Sequence, residues 1–188
     1  MAGQIENLVS EAESKMKRAL DALRKDLATV RTGRANPALV EHLLVDYYGT
    51  MMPLNQLASI SVPEARLLAV QPWDRQAIPV VEKTILQANL GLNPSNDGTL
   101  IRIPIPPLTD QRRQELVKMV YKRVEEGRVS VRNTRRDSLD QARNLKKNKE
   151  VSEDDERRCT DRLQKLTDDY IQKFNEVGQV KEKELIEG

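Results

Sequence analysis

Three stretches of this chain repeat apolar residues at helical spacing over runs too long for an ordinary compact core. Residues 5–30 place Leu8, Ala12, Met16, Leu20, Leu23, Leu27 and Val30 three or four apart, which is one stripe on an α-helix. After Thr109, the residues Leu116, Val117, Val120, Val124, Val131, Thr134, Ser138, Ala142 and Leu145 fall within about 100° of one another on a helical wheel. KKNKE breaks that pattern, and Cys159, Leu163, Leu166, Tyr170, Phe174 and Val177 begin a third stripe. At ~1.5 Å per residue such helices are rods of roughly 40–60 Å. A lone rod leaves its stripe in water, whereas three packed together bury all three. The first helix and the last two are therefore expected to share one antiparallel bundle, although residues 31–107 lie between them.

The expected ends of these helices carry the matching punctuation. Gly33 follows the first stripe as a stop. Thr109 can cap the second helix, with Asp110 in its first turn. Ser152 can cap the third, with Asp155 at the capping-box position usually held by Glu or Gln.

The intervening segment has a different texture. Eight of the nine prolines fall between Val40 and Leu108. HLLVDYY, LASISV, RLLAVQPW and TLIRIPI read as short strands bounded by turn residues. Pro79 fits the first turn of a helix through VVEKTILQA, and NPSNDG reads as a turn cluster. The expected fold class is α+β: a long antiparallel three-helix bundle from residues 1–30 and 108–188, with a small β/α/β domain of roughly four to six strands inserted at 31–107. The connections lie near 31–37 and 104–108. Arg31, Thr32, Gly33 and Arg34 in one, and Pro104, Pro106 and Pro107 in the other, make them candidates for a hinge.

Charge sharpens the functional question. The net charge is only +2 over 188 residues. Residues 109–150 nevertheless carry thirteen basic and seven acidic side chains, while residues 151–188 carry seven and eleven. Within RVSVRNTRRDSLDQAR, Arg128, Arg132, Arg135, Arg136 and Arg143 form a row beside the apolar stripe, spread over about four turns. Asp140, four residues after Arg136, and Glu125, three before Arg128, could form ion pairs with the row, but they are too few to neutralise it. Every position of the row is arginine although the helix uses lysine elsewhere. Arginine suits planar, bidentate contact with phosphate, so a folded RNA backbone is the expected target, and DNA is not.

Other chemistry finds little support. There is no GxxxxGK loop, no HExxH and no pair of cysteines for a zinc site, so no cofactor or metal is expected. His42, the only histidine, precedes a strand, and Cys159, the only cysteine, falls on the third stripe as core. No catalytic residue is assigned. No apolar run spans a membrane, the N-terminal segment lacks signal-peptide character, and a cytoplasmic protein is expected. A coiled-coil-like scaffold for an acidic protein partner is the alternative reading of the same basic row.

VRNTRRD, in its long helix, resembles the signature segment of the bacterial ribosome recycling factor family. RTGRANPALV looks like that family's first hinge motif. DYYGTMMPLNQLASISV, VEKTILQANLGLNPSNDGTLIRIPIPPLT and KKNKEVSEDDERR are similar to it too, in the same order and at similar spacing. WDRQAIP departs mildly, with Trp73 where the family commonly has phenylalanine, and QVKEKELIEG is similar only in character. The resemblance implies an L-shaped, tRNA-sized fold. It also implies a monomeric protein that binds the post-termination 70S ribosome and, with elongation factor G and GTP, splits it into subunits. By the same resemblance Arg128, Arg132, Arg135 and Arg136 contact 23S rRNA at the aminoacyl and peptidyl sites of the large subunit. Arg132 carries most weight and Arg143, beyond the motif, least. The linkers become a working hinge.

Overall fold

The computed structural model describes residues 2–188. The chain forms two compact units. One comprises the residues up to Leu27 with Glu115–Lys183, and the other Ala28–Gln114 with Glu184–Gly188. Among the described residues, besides three short 3-10 turns, there are four α-helices and six strands: α1 (Ala2–Ala28), β1 (Leu44–Tyr47), β2 (Thr50–Pro53), β3 (Ala58–Glu64), β4 (Leu67–Pro72), α2 (Ile78–Gln87), β5 (Ser95–Asn96), β6 (Ile101–Pro104), α3 (Asp110–Lys147) and α4 (Glu153–Glu187).

The first unit is helical. Its three rods bury the stripes that their spacing predicts: Ala12, Met16 and Leu20 from α1, Val120, Val124, Val131 and Ala142 from α3, and Cys159, Leu163 and Phe174 from α4. α3 runs antiparallel to both neighbours. Arg128 near its middle meets Asn175, while Lys146 near its end meets Glu156. Asp26, late in α1, pairs with Arg123, early in α3. α1 and α4 run in the same direction, as two of three packed rods must; Glu6 near the start of α1 meets Arg162 near the start of α4. At one end Ile5, Leu8, Val9 and Ala12 cluster with Ala142, Val151, Cys159 and Leu163.

One detail lets α3 and α4 approach closely. Gly127 faces Phe174, and a Cβ on residue 127 would overlap the buried ring. The absent side chain is therefore a packing device, since cores tolerate little extra volume. At the start of α4 the capping box forms in both directions. The Asp155 N–H donates to Ser152 Oγ at 3.1 Å, and the Ser152 N–H donates to Asp155 Oδ2 at 3.2 Å. Ser152 Oγ also donates to that carboxylate, which holds it below the usual range. Thr109 caps α3 by accepting from the Arg112 N–H at 3.2 Å.

The second unit holds two antiparallel sheets. β1 and β2 form a hairpin with Val45 opposite Met52. Tyr48 and Gly49 turn it with φ of 50° and 84°, the left-handed pair that a tight hairpin needs. The larger sheet has the order β3-β4-β6-β5. Leu68, Val70, Ile101 and Ile103 from this sheet, Val45 from the hairpin, and Ile78, Val81 and Ile85 from α2 share one core.

The differences from the sequence reading are local. HLLVDYY is a strand only over Leu44–Tyr47, because Tyr48 adopts a left-handed turn conformation. TMMP pairs as β2 although no strand is assigned to it from pattern alone; it is short and rich in methionine. Ser95 and Asn96, inside the expected turn NPSNDG, pair with Arg102 and Ile101.

Candidate nucleic-acid interface

α3 is rigid enough to hold side chains in register because its buried stripe is anchored along its length. The arginine row beside that stripe divides into two kinds of residue. Arg128 and Arg135 lean onto α4. Arg128 Nη1 donates to Asn175 Oδ1 at 2.7 Å, and Arg135 Nη1 donates to Gln164 Oε1 at 2.8 Å. Their Nε atoms are buried with no partner. Arg132, Arg136 and Arg143 stand exposed to solvent.

The local carboxylates are shared thinly. Glu125 accepts from Arg128 at 2.6 Å and from Arg132 at 3.2 Å. The Arg128 guanidinium, with Arg132 second, holds the Glu125 carboxyl below the ordinary glutamate range. Asp140 bonds Arg143 at 3.2 Å rather than Arg136, whose Nη2 reaches the neutral Asn133 at 2.5 Å. Five guanidiniums thus meet two carboxylates, and the surplus positive charge stays on the solvent side. Arg132, Arg135, Arg136 and Arg143 line a groove of about 300 Å³ together with Leu139 and Asp140.

The sequence reading ranks Arg143 last as an RNA contact; in the structure Arg143 lines the same groove as Arg132, Arg135 and Arg136. Arg128 is not among the groove-lining residues. Gln164 and Asn175 are not singled out either. Their signal is faint: neutral amides next to the α4 stripe, opposite arginines on the flank of the α3 stripe.

The residues of the expected hinge all lie in the second unit. Arg31 Nη1 donates to the Leu90 carbonyl at 3.1 Å and its Nη2 to the Pro106 carbonyl at 3.5 Å. One side chain therefore spans both linkers. Thr32 is buried, and Gly33 sits at φ 80° against Leu108. Arg34 Nη2 donates to the Glu187 carbonyl at 3.3 Å. Pro104 ends β6, and Pro106 and Pro107 are exposed.

The remaining candidates fit ordinary roles. Cys159 is fully buried, and burial raises its thiol pKa. His42 is exposed and lies 3.2 Å from Glu41. Among the described residues, no group of three or more His, Cys, Asp or Glu is arranged to hold a metal. Among the same residues, no helix is long and apolar enough to cross a membrane.

Comparison with known proteins gives this face a context. The ribosome recycling factor family matches residues 23–186. The ribosome-recycling factor of Thermomicrobium roseum is 55% identical over 183 residues, covering 97% of this chain and 99% of that protein. A solution structure of the ribosome recycling factor superposes with a TM-score of 0.82 at 44% identity, covering 98% of both chains. A second structure describes the T. thermophilus ribosome recycling factor and the E. coli elongation factor G bound to the E. coli post-termination complex. It matches with a TM-score of 0.68 at 46% identity, over 96% of this chain and 98% of that one. With one family matched across most of its length and relatives more than half identical, the chain belongs to the ribosome recycling factor family.

Proposed function

We propose that this chain binds the post-termination 70S ribosome and, with elongation factor G and GTP, splits it into subunits and frees mRNA and tRNA. The observation that carries the proposal is the arginine row on α3, with Arg132 and Arg136 exposed, in a chain from this family. Arg132 and Arg136 are its centre. They project from α3 with too few carboxylates to neutralise them, as contact with the phosphates of 23S rRNA requires. Arg128 and Arg135 contribute charge while bracing α3 on α4. The likeness to a factor solved with elongation factor G on a post-termination complex supports the same partners here.

In this proposal residues 1–30 and 108–188 form the RNA-binding bundle, and residues 31–107 form the domain on which the GTPase acts. The linkers at 31–37 and 104–108 are the hinge, with Arg31, Thr32, Gly33, Arg34, Pro104, Pro106 and Pro107 as its parts. The work is mechanical. Arginine–phosphate contacts hold the bundle, and force from the partner moves the second domain. No group on this chain reacts, and the protein acts as a monomer in the cytoplasm.

Light scattering of 70S ribosomes mixed with this protein, elongation factor G and GTP tests the activity. Subunit splitting is expected for the wild type and its loss for Arg132→Glu. Equal splitting by both would remove the arginine row from the mechanism. A cross-link between the two domains that left splitting at full rate would remove the hinge.

A further inference from the structure

The groove on α3 has a composition that a plain phosphate site does not need. Arg132, Arg135, Arg136 and Arg143 supply its positive walls, but Leu139 and Asp140 line it as well. A carboxylate repels phosphate, and an apolar side chain gains nothing from it. Both make sense if the occupant carries a base as well as phosphates. At about 300 Å³ the groove is at the lower end of small-molecule sites.

The donor and acceptor inventory narrows the base. Asp140 Oδ1 accepts from Arg143 Nη1 at 3.2 Å, which leaves Oδ2 and further lone pairs unused. Its side chain is 59% exposed, so the free oxygen is accessible. A carboxylate accepts best from two parallel N–H groups. Guanine offers such a pair, N1–H and the 2-amino group, on its Watson–Crick edge. Uracil offers one N–H between two carbonyls that a carboxylate repels. Adenine and cytosine set their amino group beside a ring nitrogen that is itself an acceptor. Base pairing would hide the edge, so the nucleotide must be unpaired, and an unstacked base can lie on Leu139 or on a guanidinium plane.

We propose that the groove formed by Arg132, Arg135, Arg136, Leu139, Asp140 and Arg143 takes one unpaired guanosine of an RNA, its base edge on Asp140 and its flanking phosphates on the arginines. This rests on the RNA-binding reading above and adds to it a single-nucleotide specificity.

The test uses the full chain and RNA hairpins with one stem, either fully paired or carrying a single bulged G, A, C or U, with binding read by fluorescence anisotropy. The bulged-G hairpin is expected to bind tighter than the others by roughly 5- to 150-fold, the range of a good bidentate base contact. Asp140→Ala and Asp140→Asn are expected to bring the bulged-G affinity to that of the other hairpins. Arg132→Glu is expected to weaken every hairpin. Wild-type protein that binds all hairpins alike, with Arg132→Glu weaker on each, overturns the guanosine pocket and leaves the RNA reading standing. A G preference that survives in both Asp140 variants, or an equal drop on every hairpin in both, also overturns it. No binding to any hairpin by the wild type overturns both.

Discussion

The two units are nearly equal in length, yet they present different surfaces. The helical unit holds 43 of the 60 charged side chains, and the α/β unit holds 17. The α/β unit exposes Leu44, Tyr48, Met51 and Trp73, the last at 69%. The cause is architectural. A rod in a three-helix bundle buries one stripe and leaves most of its circumference to solvent, so it has room for charge and can display it in register. The α/β unit instead draws both sheets and α2 around one core, so its surface is made of short strand faces and turns. Charge recognition therefore suits the first unit, where one helix alone presents a guanidinium row.

The contrast can be broken most forcefully at its packing. Phe174→Ala should destabilise the helical unit by about 3–5 kcal/mol, because the ring fills the space that Gly127 leaves open. Urea unfolding followed by circular dichroism measures it, and a cost under ~1 kcal/mol would mean that α3 and α4 do not depend on this contact. Arg132→Glu is the next largest effect. It removes a charge-assisted contact that should cost ribosome binding about 1.5–3 kcal/mol, and it should lower the salt slope of cosedimentation by about one unit on the duplex-derived scale. Arg75→Glu on the α/β unit should move the slope much less. An equal change in the two variants would erase the difference between the units.

Smaller effects sharpen the comparison. Gly33→Ala forces a side chain to φ 80° and should cost about 1–2 kcal/mol in thermal or urea unfolding. Ser152→Ala removes the Oγ arm of the capping box, while the backbone N–H of residue 152 can still donate to Asp155, and should cost about 1 kcal/mol. The smallest effect depends on pH. Glu6 takes a bidentate hydrogen bond from Arg162, at 2.6 and 3.0 Å, which holds its carboxyl below the ordinary range. A depressed folded pKa means that this contribution is present above about pH 4.3 and is lost as the pH falls through the folded value. Glu6→Gln should therefore flatten the acid side of the stability curve while leaving its slope near neutral pH unchanged. An acid limb as steep as that of the wild type would show that other carboxylates dominate it.

Much of the bundle was legible from spacing. Leu8 to Val30, Leu116 to Leu145 and Cys159 to Val177 trace stripes because helical period and burial are coupled within one segment. Thr109 and Ser152 were readable as caps for the same reason: their partners lie three residues away. β2 was not readable, since TMMP does not alternate and has Thr50 as its single β-branched residue; it exists as a strand through its pairing with β1. Tyr47 and Tyr48 alternate in sequence, but only the fold turns Tyr48 outward, 73% exposed, and sets Tyr47 to donate to Asp74 at 3.0 Å.

The sequence by itself determined that five arginines share one flank of a helix, because 100° per residue is a property of the backbone. It could not divide them. Arg128 and Arg135 turn inward because Asn175 and Gln164 stand opposite them, 47 and 29 residues further along the chain. Arg143 joins Leu139 and Asp140 in one groove with Arg132 and Arg136. Which charges are bound within the protein and which remain for a partner is settled by contacts between helices, and those form only once α3 and α4 pack.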